Sequence, residues 1–188
     1  MYTIPVPAAP IDGEAVMPLA QAKLHLSVDG DEQDTLIAIL RDAAIEWVEA
    51  WTSKALLRRA WTATSPGFGD RIVLQRQPVW VVSAISYLDS AGAEQSIAAD
   101  GWRLSAGAAV LPNAGRRWPG TLVGDDVVTV TFEAGYEEGN CPPALVAAAM
   151  LVLAHLFKNR EAVVVGTITS ELPFGVVSLC KDFRRAGA

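Results

Sequence analysis

Hydrophobic positions recur along this chain in three different rhythms. In the first, Leu36, Leu40, Ala43, Trp47 and Trp51 follow one another at helical spacing, and Ile39, Ala44 and Val48 widen the stripe. This predicts a long amphipathic helix. A shorter pattern precedes it, with Leu19, Ala22, Lys23 and Leu26 on one face after Pro18. Between the two, Asp29 or Asp31 is expected to cap the long helix. Glu32 and Asp34 then fall in its first turn, where carboxylates suit the helix dipole.

The second rhythm runs from about residue 59 to residue 132 and is that of strands. Residues 61–64, 72–74, 79–88, 110–111 and 127–132 are rich in β-branched and aromatic side chains. Turn-forming stretches separate them, such as Pro66-Gly67, Gln77-Pro78, Ala91-Gly92 and Asn113-Ala114-Gly115. Such spacing predicts a small antiparallel sheet or sandwich.

The third rhythm has no polar phase. From Ala144 to Phe157 only His155 is polar, and Pro142 and Pro143 stand where a helix accepts proline, in its first turn. A helix that is apolar on every face is covered on every face. It is too short for a bilayer, which needs roughly 20 apolar residues. The cover is therefore the rest of the domain or a second surface such as a neighbouring copy. Ala148, Val152 and His155 are the expected contact positions in the second case. Residues 163–170 then show no period, and a closing helix over 176–185 carries Leu179 and Phe183 one turn apart.

The fold class that follows is α+β. About four helices from the two chain ends, residues 18–58 and 141–188, form a helical core. A small antiparallel β insert, residues 59–140, separates the second and third main helices. Residues 1–17, rich in proline and small side chains, are expected to be an extended arm.

Composition narrows the function. A chain of 188 residues can bury a real core. Its two cysteines, Cys141 and Cys180, stand far apart and in no metal-type spacing, which favours reduced thiols in a cytosol. The N-terminus has no basic stretch followed by an apolar core, so no signal peptide is expected. A net charge of -6 argues against a protein that grips nucleic acid through its phosphates. It is compatible with DNA as a passenger, because an acidic wall repels phosphate.

The catalytic and metal inventory is thin. The acidic run Asp29-Gly30-Asp31-Glu32-Gln33-Asp34 fails as a calcium loop, since Asp34 and Leu40 stand where glycine and glutamate are needed. His25 and His155 are the only histidines, and neither they nor the cysteines fall in a nucleophile motif. Gly115-Arg116-Arg117-Trp118-Pro119-Gly120 lacks the lysine-hydroxyl ending of a phosphate loop. Trp47, Trp51, Trp61 and Trp80 fall in helix and strand patterns and are expected in the core. Trp102 and Trp118 lie nearer loops and remain candidates for exposed contacts. No catalytic residue, metal or cofactor is expected, and no membrane contact.

Three segments together resemble the head-tail connector proteins, the adaptors or head-completion proteins of long-tailed phages and phage-like gene transfer agents. The first is LAQAKLHLSVDGDEQDTLIAILRDAAIEWVEAWTSKALL, similar to the family's opening helix pair with its K-x-H-L and E-x-W/Y-T endings. The second is VTVTFEAGYEEGNCPPALVAAAMLVLAHLFKNREA, with its strand, A-G-Y, proline-started apolar helix and N-R-E. The third is ELPFGVVSLCKDFR, similar to the closing L-P-x-G-V segment. They stand in the family's order and cover about half of the chain. The β region matches only in character, chiefly through Trp118-Pro119.

The resemblance implies a non-enzymatic assembly protein. About a dozen copies would form a homo-oligomeric ring under the portal protein, continue the DNA channel and meet a stopper or tail-completion protein. It would work in the bacterial host cytoplasm and then in the particle neck. The closing segment, through Phe174, Val176, Leu179, Phe183, Arg184 and Arg185, is the expected portal anchor. Ser90, Glu94, Arg116, Arg117 and Trp118 are the expected tail-side contacts. The competing readings are a stopper or tail-completion subunit, disfavoured by the helical ends, and a free-standing ligand-binding β module resting on Trp102, Trp118 and Tyr87. A hydrolase with an unrecognised site comes last.

Overall fold

The long amphipathic pattern folds as a helix, but its buried face is turned from the expected one. The computed structural model describes residues 4–106, 108–159 and 174–184. In it the helix spans Asp34–Thr52 and buries Ile37, Arg41, Ala44, Ile45, Val48, Glu49 and Thr52. Ala43 is exposed, Ile39 is 61 % exposed, and Trp47 and Trp51 are half-buried and stacked with ring centroids 5.3 Å apart. Two charged residues inside the buried row account for the difference, because the apolar pattern skips them. Arg41 donates to Glu14 Oε2 at 2.6 Å, to Asp42 Oδ1 at 2.9 Å and to the Met17 carbonyl at 3.3 Å. Glu49 accepts from the Leu56 backbone N–H at 2.7 Å. Each buried charge is matched by partners, as burial requires.

The chain divides into two units: Met1–Pro10 with Arg58–Gly135, and Ile11–Leu57 with Tyr136–Ala188. The second holds the helices α1 (Gly13–Val16), α2 (Leu19–Leu26), α3 (Asp34–Thr52), α4 (Pro143–Lys158) and α5 (Phe174–Cys180), followed by a 3-10 turn at Lys181–Phe183. Its core joins Met17, Ala22, Ile37, Ile45, Val48, Leu145, Ala149, Leu153, Val176 and Cys180. The carboxylate of Glu14 ties three of these helices together. It takes the Arg41 guanidinium and also accepts the Leu19 backbone N–H at 3.0 Å, one of the N–H groups that helix geometry leaves open. Gly13 is needed beside it, because a Cβ there would run into the Asp42 carboxylate and the Arg41 guanidinium.

The expected aspartate cap is not made. Gln33 stands at the N-cap of α3 without a side-chain cap bond. Asp31 and Asp34 instead hold the Lys23 ammonium at 3.0 and 2.7 Å. The Asp34 and Asp31 hydrogen bonds raise the Lys23 pKa above its ordinary value.

The other unit is β. Strands β1 (Ile4–Pro7), β2 (Arg59–Ser65), β4 (Val79–Leu88), β5 (Glu94–Ser96) and β8 (Val128–Ala134) form one antiparallel sheet in the order β1-β2-β8-β4-β5. Strands β3 (Ile72–Val73), β6 (Trp102–Leu104) and β7 (Ala109–Pro112) form a second, in the order β3-β7-β6. The α+β expectation is met, with helical ends and antiparallel strands between them. The N-terminal stretch expected as an extended arm contributes the edge strand β1, paired Ile4 to Thr64 and Pro7 to Trp61, and then the short α1.

Strands β2 and β8 bury every second residue, as a half-covered sheet should. Trp61 is buried there, its indole N–H donating to the Ala134 carbonyl at 3.3 Å, with the Arg59 guanidinium 4.5 Å from its ring centre. Strand β4 breaks the alternation. Its register against β8 slips between Val79 and Val81 and again between Val82 and Ala84. Such bulges turn side chains off the regular face. Only Val82 and Ile85 are buried, while Trp80 is 48 % and Val81 45 % exposed. The expectation that Trp80 is a core residue is therefore corrected. Its N–H donates to the Gly135 carbonyl at 2.7 Å and Arg58 stacks on its ring at 4.8 Å, but its face is open.

Candidate functional site

The surfaces a partner could meet differ from those a count of apolar residues suggests. Ala148 and Val152, expected as outward positions, are buried in the helical core. The physical reason is that α3 and α5 both pack on α4, so most of the excess apolar surface of α4 is covered within the unit. His155 is half-buried near the end of the helix, with Nδ1 3.4 Å from Asn159 Nδ2. The side opposite the buried row carries Ala147, Met150 and Ala154, each half-covered. No polar residue interrupts that strip.

The closing segment is likewise placed inward. Val176 is fully buried and Leu179 and Phe183 pack against the same core, so the stripe expected to enter a partner's groove is covered by the chain's own helices. Gly175 lies against Leu151, and the Arg184 guanidinium stacks 4.8 Å from the Trp51 ring centre. The solvent face of this segment is formed by Val177, Ser178, Lys181, Asp182 and Arg184, with Val177 41 % exposed. The side chain of Phe174, all of Arg185 and residues 163–170 lie outside the described residues.

A groove of about 310 Å³ opens in the helical unit, lined by Val16, Leu56, Leu57, Pro143, Val146 and Met150, with Glu137 and Glu138 at its rim. Cys141 reaches it too. Burial, and then the Glu49 carboxylate, push its thiol up to about 12. It is protonated at neutral pH and a poor nucleophile. Burial also raises Cys180 and Tyr136. Among the described residues no three His, Cys, Asp or Glu side chains gather as metal ligands, and no helix is long and apolar enough to cross a membrane.

In the β unit the expected tail-side residues lie on two turns. Ser90 and Glu94 are exposed on the β4–β5 hairpin. There the Asp89 carboxylate accepts from Ala91 N at 2.9 Å, Ala93 N at 3.0 Å and Gln95 Nε2 at 3.0 Å. These bonds, Gln95 first, lower the Asp89 pKa and hold the turn rigid. Arg116 and Arg117 are exposed on the second turn, Arg116 paired with Asp100 at 2.5 Å. Trp118 is not a free contact. It stacks on Phe68 at 4.6 Å, and Phe68 meets Tyr87 edge-on at 5.5 Å. Two of the three aromatics on which a ligand-binding module rested are thus used in packing. The third, Trp102, is half-buried in β6.

No family model matches the chain, and no curated protein matches it. Solved structures do. The chain is similar to a component of the neck of an empty gene transfer agent particle computed with C6 symmetry, at 26 % identity and a TM-score of 0.78, covering 98 % of this chain and 97 % of that one. It is similar at 28 % identity and a TM-score of 0.76, with the same coverages, to chains in the virion of a native gene transfer agent particle and in a native neck computed with C12 symmetry. These likenesses support a head-tail connector-type, phage-like protein.

For a connector-type chain the geometry is coherent. The likenesses support a structural neck-type protein, whose candidate sites are surfaces: the Ala147, Met150 and Ala154 strip, the outer face of α5, and the turns at Ser90 and Arg116. Sequence patterning missed the first two because it marks apolar residues without saying which neighbour covers them. The open face of β4 was missed because a bulge leaves no mark in an apolar run.

Proposed function

We propose that this chain is a ring-forming head-tail adaptor that docks under the portal, continues the DNA channel and presents a surface to the stopper or tail. The observation that carries the reading is whole-chain likeness to neck components at 26 to 28 % identity, covering both units and nearly all of each neighbour. Those necks were computed with C6 and C12 symmetry, which supports a homo-oligomeric ring of about a dozen copies here. The net charge of -6 suits a wall past which DNA slides without being held.

The contacts in this reading follow the exposed faces. The half-covered strip of α4, with His155 beside it, meets a neighbouring copy. The outer face of the closing segment, Val177, Lys181 and Arg184, meets the portal. The turns bearing Ser90, Glu94, Arg116 and Arg117 face the tail, since exposed turns on a rigid sheet are suited to recognition. The protein acts in the host cytoplasm during assembly and remains in the particle neck.

Removing the chain from a particle-producing host tests this. Heads and free tails should accumulate unjoined, and the full chain supplied separately should restore joining. Complete tailed particles formed without the chain would overturn the reading.

A further inference from the structure

Helix α3 is apolar on two sides. One is the buried row that includes Ile37, Ala44, Ile45 and Val48. The other is the stripe that periodicity marks, Leu36, Ile39, Ala43 and Trp47, with Leu40 and Ala50 beside it. Ile39, Ala43 and Ala50 are exposed, and Leu36, Leu40 and Trp47 are half-buried. An exposed carboxylate, Glu46, borders this outer row. A continuous apolar row left open on a long helix is the mark of a surface that meets another protein.

Helix α4 carries the other open strip of the helical unit. Ala147, Met150 and Ala154 are half-covered, and the exposed Lys158 stands one turn beyond Ala154. Helices α3 and α4 pack on each other in one core, and both strips are left outside their buried rows. The strips border different parts of the unit. The α3 row runs on to Trp51, under the Arg184 guanidinium, whereas Met150 also lines the groove with Val16 and Leu56. A ring contact is heterologous, so one subunit must carry two such different surfaces.

Their chemistry is complementary. Both strips step by three residues and then by four, Leu36-Ile39-Ala43 against Ala147-Met150-Ala154, the step by which paired helices interdigitate. Laid parallel in that register, the bulky Leu36 meets the small Ala147, Ile39 meets Met150, and the two helices approach closely where Ala43 meets Ala154. The same register carries Lys158 one position past Glu46, so that an ammonium meets a carboxylate at the end of the apolar match. Reversing one helix about the Ala43 and Ala154 contact would carry Lys158 onto Ile39 instead, so charge selects the parallel direction.

We infer that the outer row of α3 in one copy, Leu36, Ile39, Ala43 and Trp47, packs in parallel on the α4 strip of the next copy in the ring, Ala147, Met150 and Ala154, with Lys158 paired to Glu46. The inference rests on the ring reading for the presence of a second copy, and it names the surface that the α4 strip meets.

The test is a cysteine pair in the full chain, Ala43→Cys with Ala154→Cys, oxidised in the assembled neck and run on a denaturing non-reducing gel beside each single variant. The pair should give a ladder of linked multimers and the single variants should give none. Dimers from either single variant would mean that like strips meet, which overturns the inference, as does a link confined to the monomer. A ring in which the pair does not link also overturns it, while leaving the ring reading intact. A chain that forms no ring overturns both. A charge exchange supplies the second measurement. Glu46→Lys and Lys158→Glu should each keep the native circular dichroism spectrum and lose ring formation at a concentration that assembles the wild type, and the double variant should recover it. Single variants that assemble as the wild type does, or a double variant that stays unassembled, would contradict the inference.

Discussion

The helical and β units invert each other's expectations. In the helical unit, residues that looked like partner contacts, Ala148, Val152 and Val176, are core. In the β unit, residues that looked like core, Trp80 above all, face solvent. The difference teaches that apolarity alone does not mark an interface. A helix satisfies its own backbone, so its apolar sides can all be covered by neighbouring helices within one unit. A sheet carries backbone demands out to its edges, and covering the edge is a separate problem from covering the face.

The sharpest way to break this comparison is to place a charge on each side of α4. Val152→Asp should unfold the helical unit, at a cost on the order of 4 kcal/mol, because it buries an unpaired carboxylate. Ala154→Asp, on the half-covered strip, should change stability by less than about 1 kcal/mol and act on assembly instead. Chemical denaturation of the two variants measures the contrast; a folded Val152→Asp that merely fails to assemble would reverse the assignment of the helix faces.

The next effect concerns the buried charges. Arg41→Met takes the guanidinium from Glu14, which keeps only the Leu19 N–H, and Glu49→Ala leaves the Leu56 N–H unpaired. Each should lower the unfolding free energy by about 2 kcal/mol. No loss in either variant would mean that these groups do not organise the helical core.

In the β unit the two tryptophans should separate. Trp118→Ala removes the stack on Phe68 and should cost about 2 kcal/mol. Trp80→Ala, losing one hydrogen bond and an open-faced ring, should cost about 1 kcal/mol. Equal losses in thermal unfolding would remove the distinction between packed and open aromatics.

A last effect is a pH dependence confined to alkaline solution. The Cys141 thiol is pushed up to about 12 in the fold, from an ordinary value of 9.0. Its contribution to stability is therefore complete below about pH 9 and is lost as pH rises toward 12, where the unfolded thiol ionises and the folded one resists. Cys141→Ser should flatten that part of the alkaline stability profile. An unchanged profile would show that burial does not govern the thiol.

These contrasts also mark what the chain's pattern reveals. The proline pair that opens α4, the length of α3 and the alternation in β8 are local, and periodicity finds them. The burial of Arg41 is not local, because its partner Glu14 is 27 residues away. Nor is the docking of Val176 on α4 and α3, since a short apolar stripe has the same spacing whether it meets its own core or another protein. The strand Glu94–Ser96 has no apolar residue at all, and only its pairing with β4 makes it a strand. The turns at Ser90 and Arg116 were legible because Gly92 and Gly115 adopt positive φ there, the conformation their turn sequences favour.

The central claim, that this chain builds a neck ring on a portal, is tested most directly by native mass measurement of the full chain with and without portal protein. The account predicts a closed species of about a dozen copies in complex with the portal, matching the C12 symmetry of the similar neck. A chain that stays monomeric and unbound at every ratio of portal would contradict it.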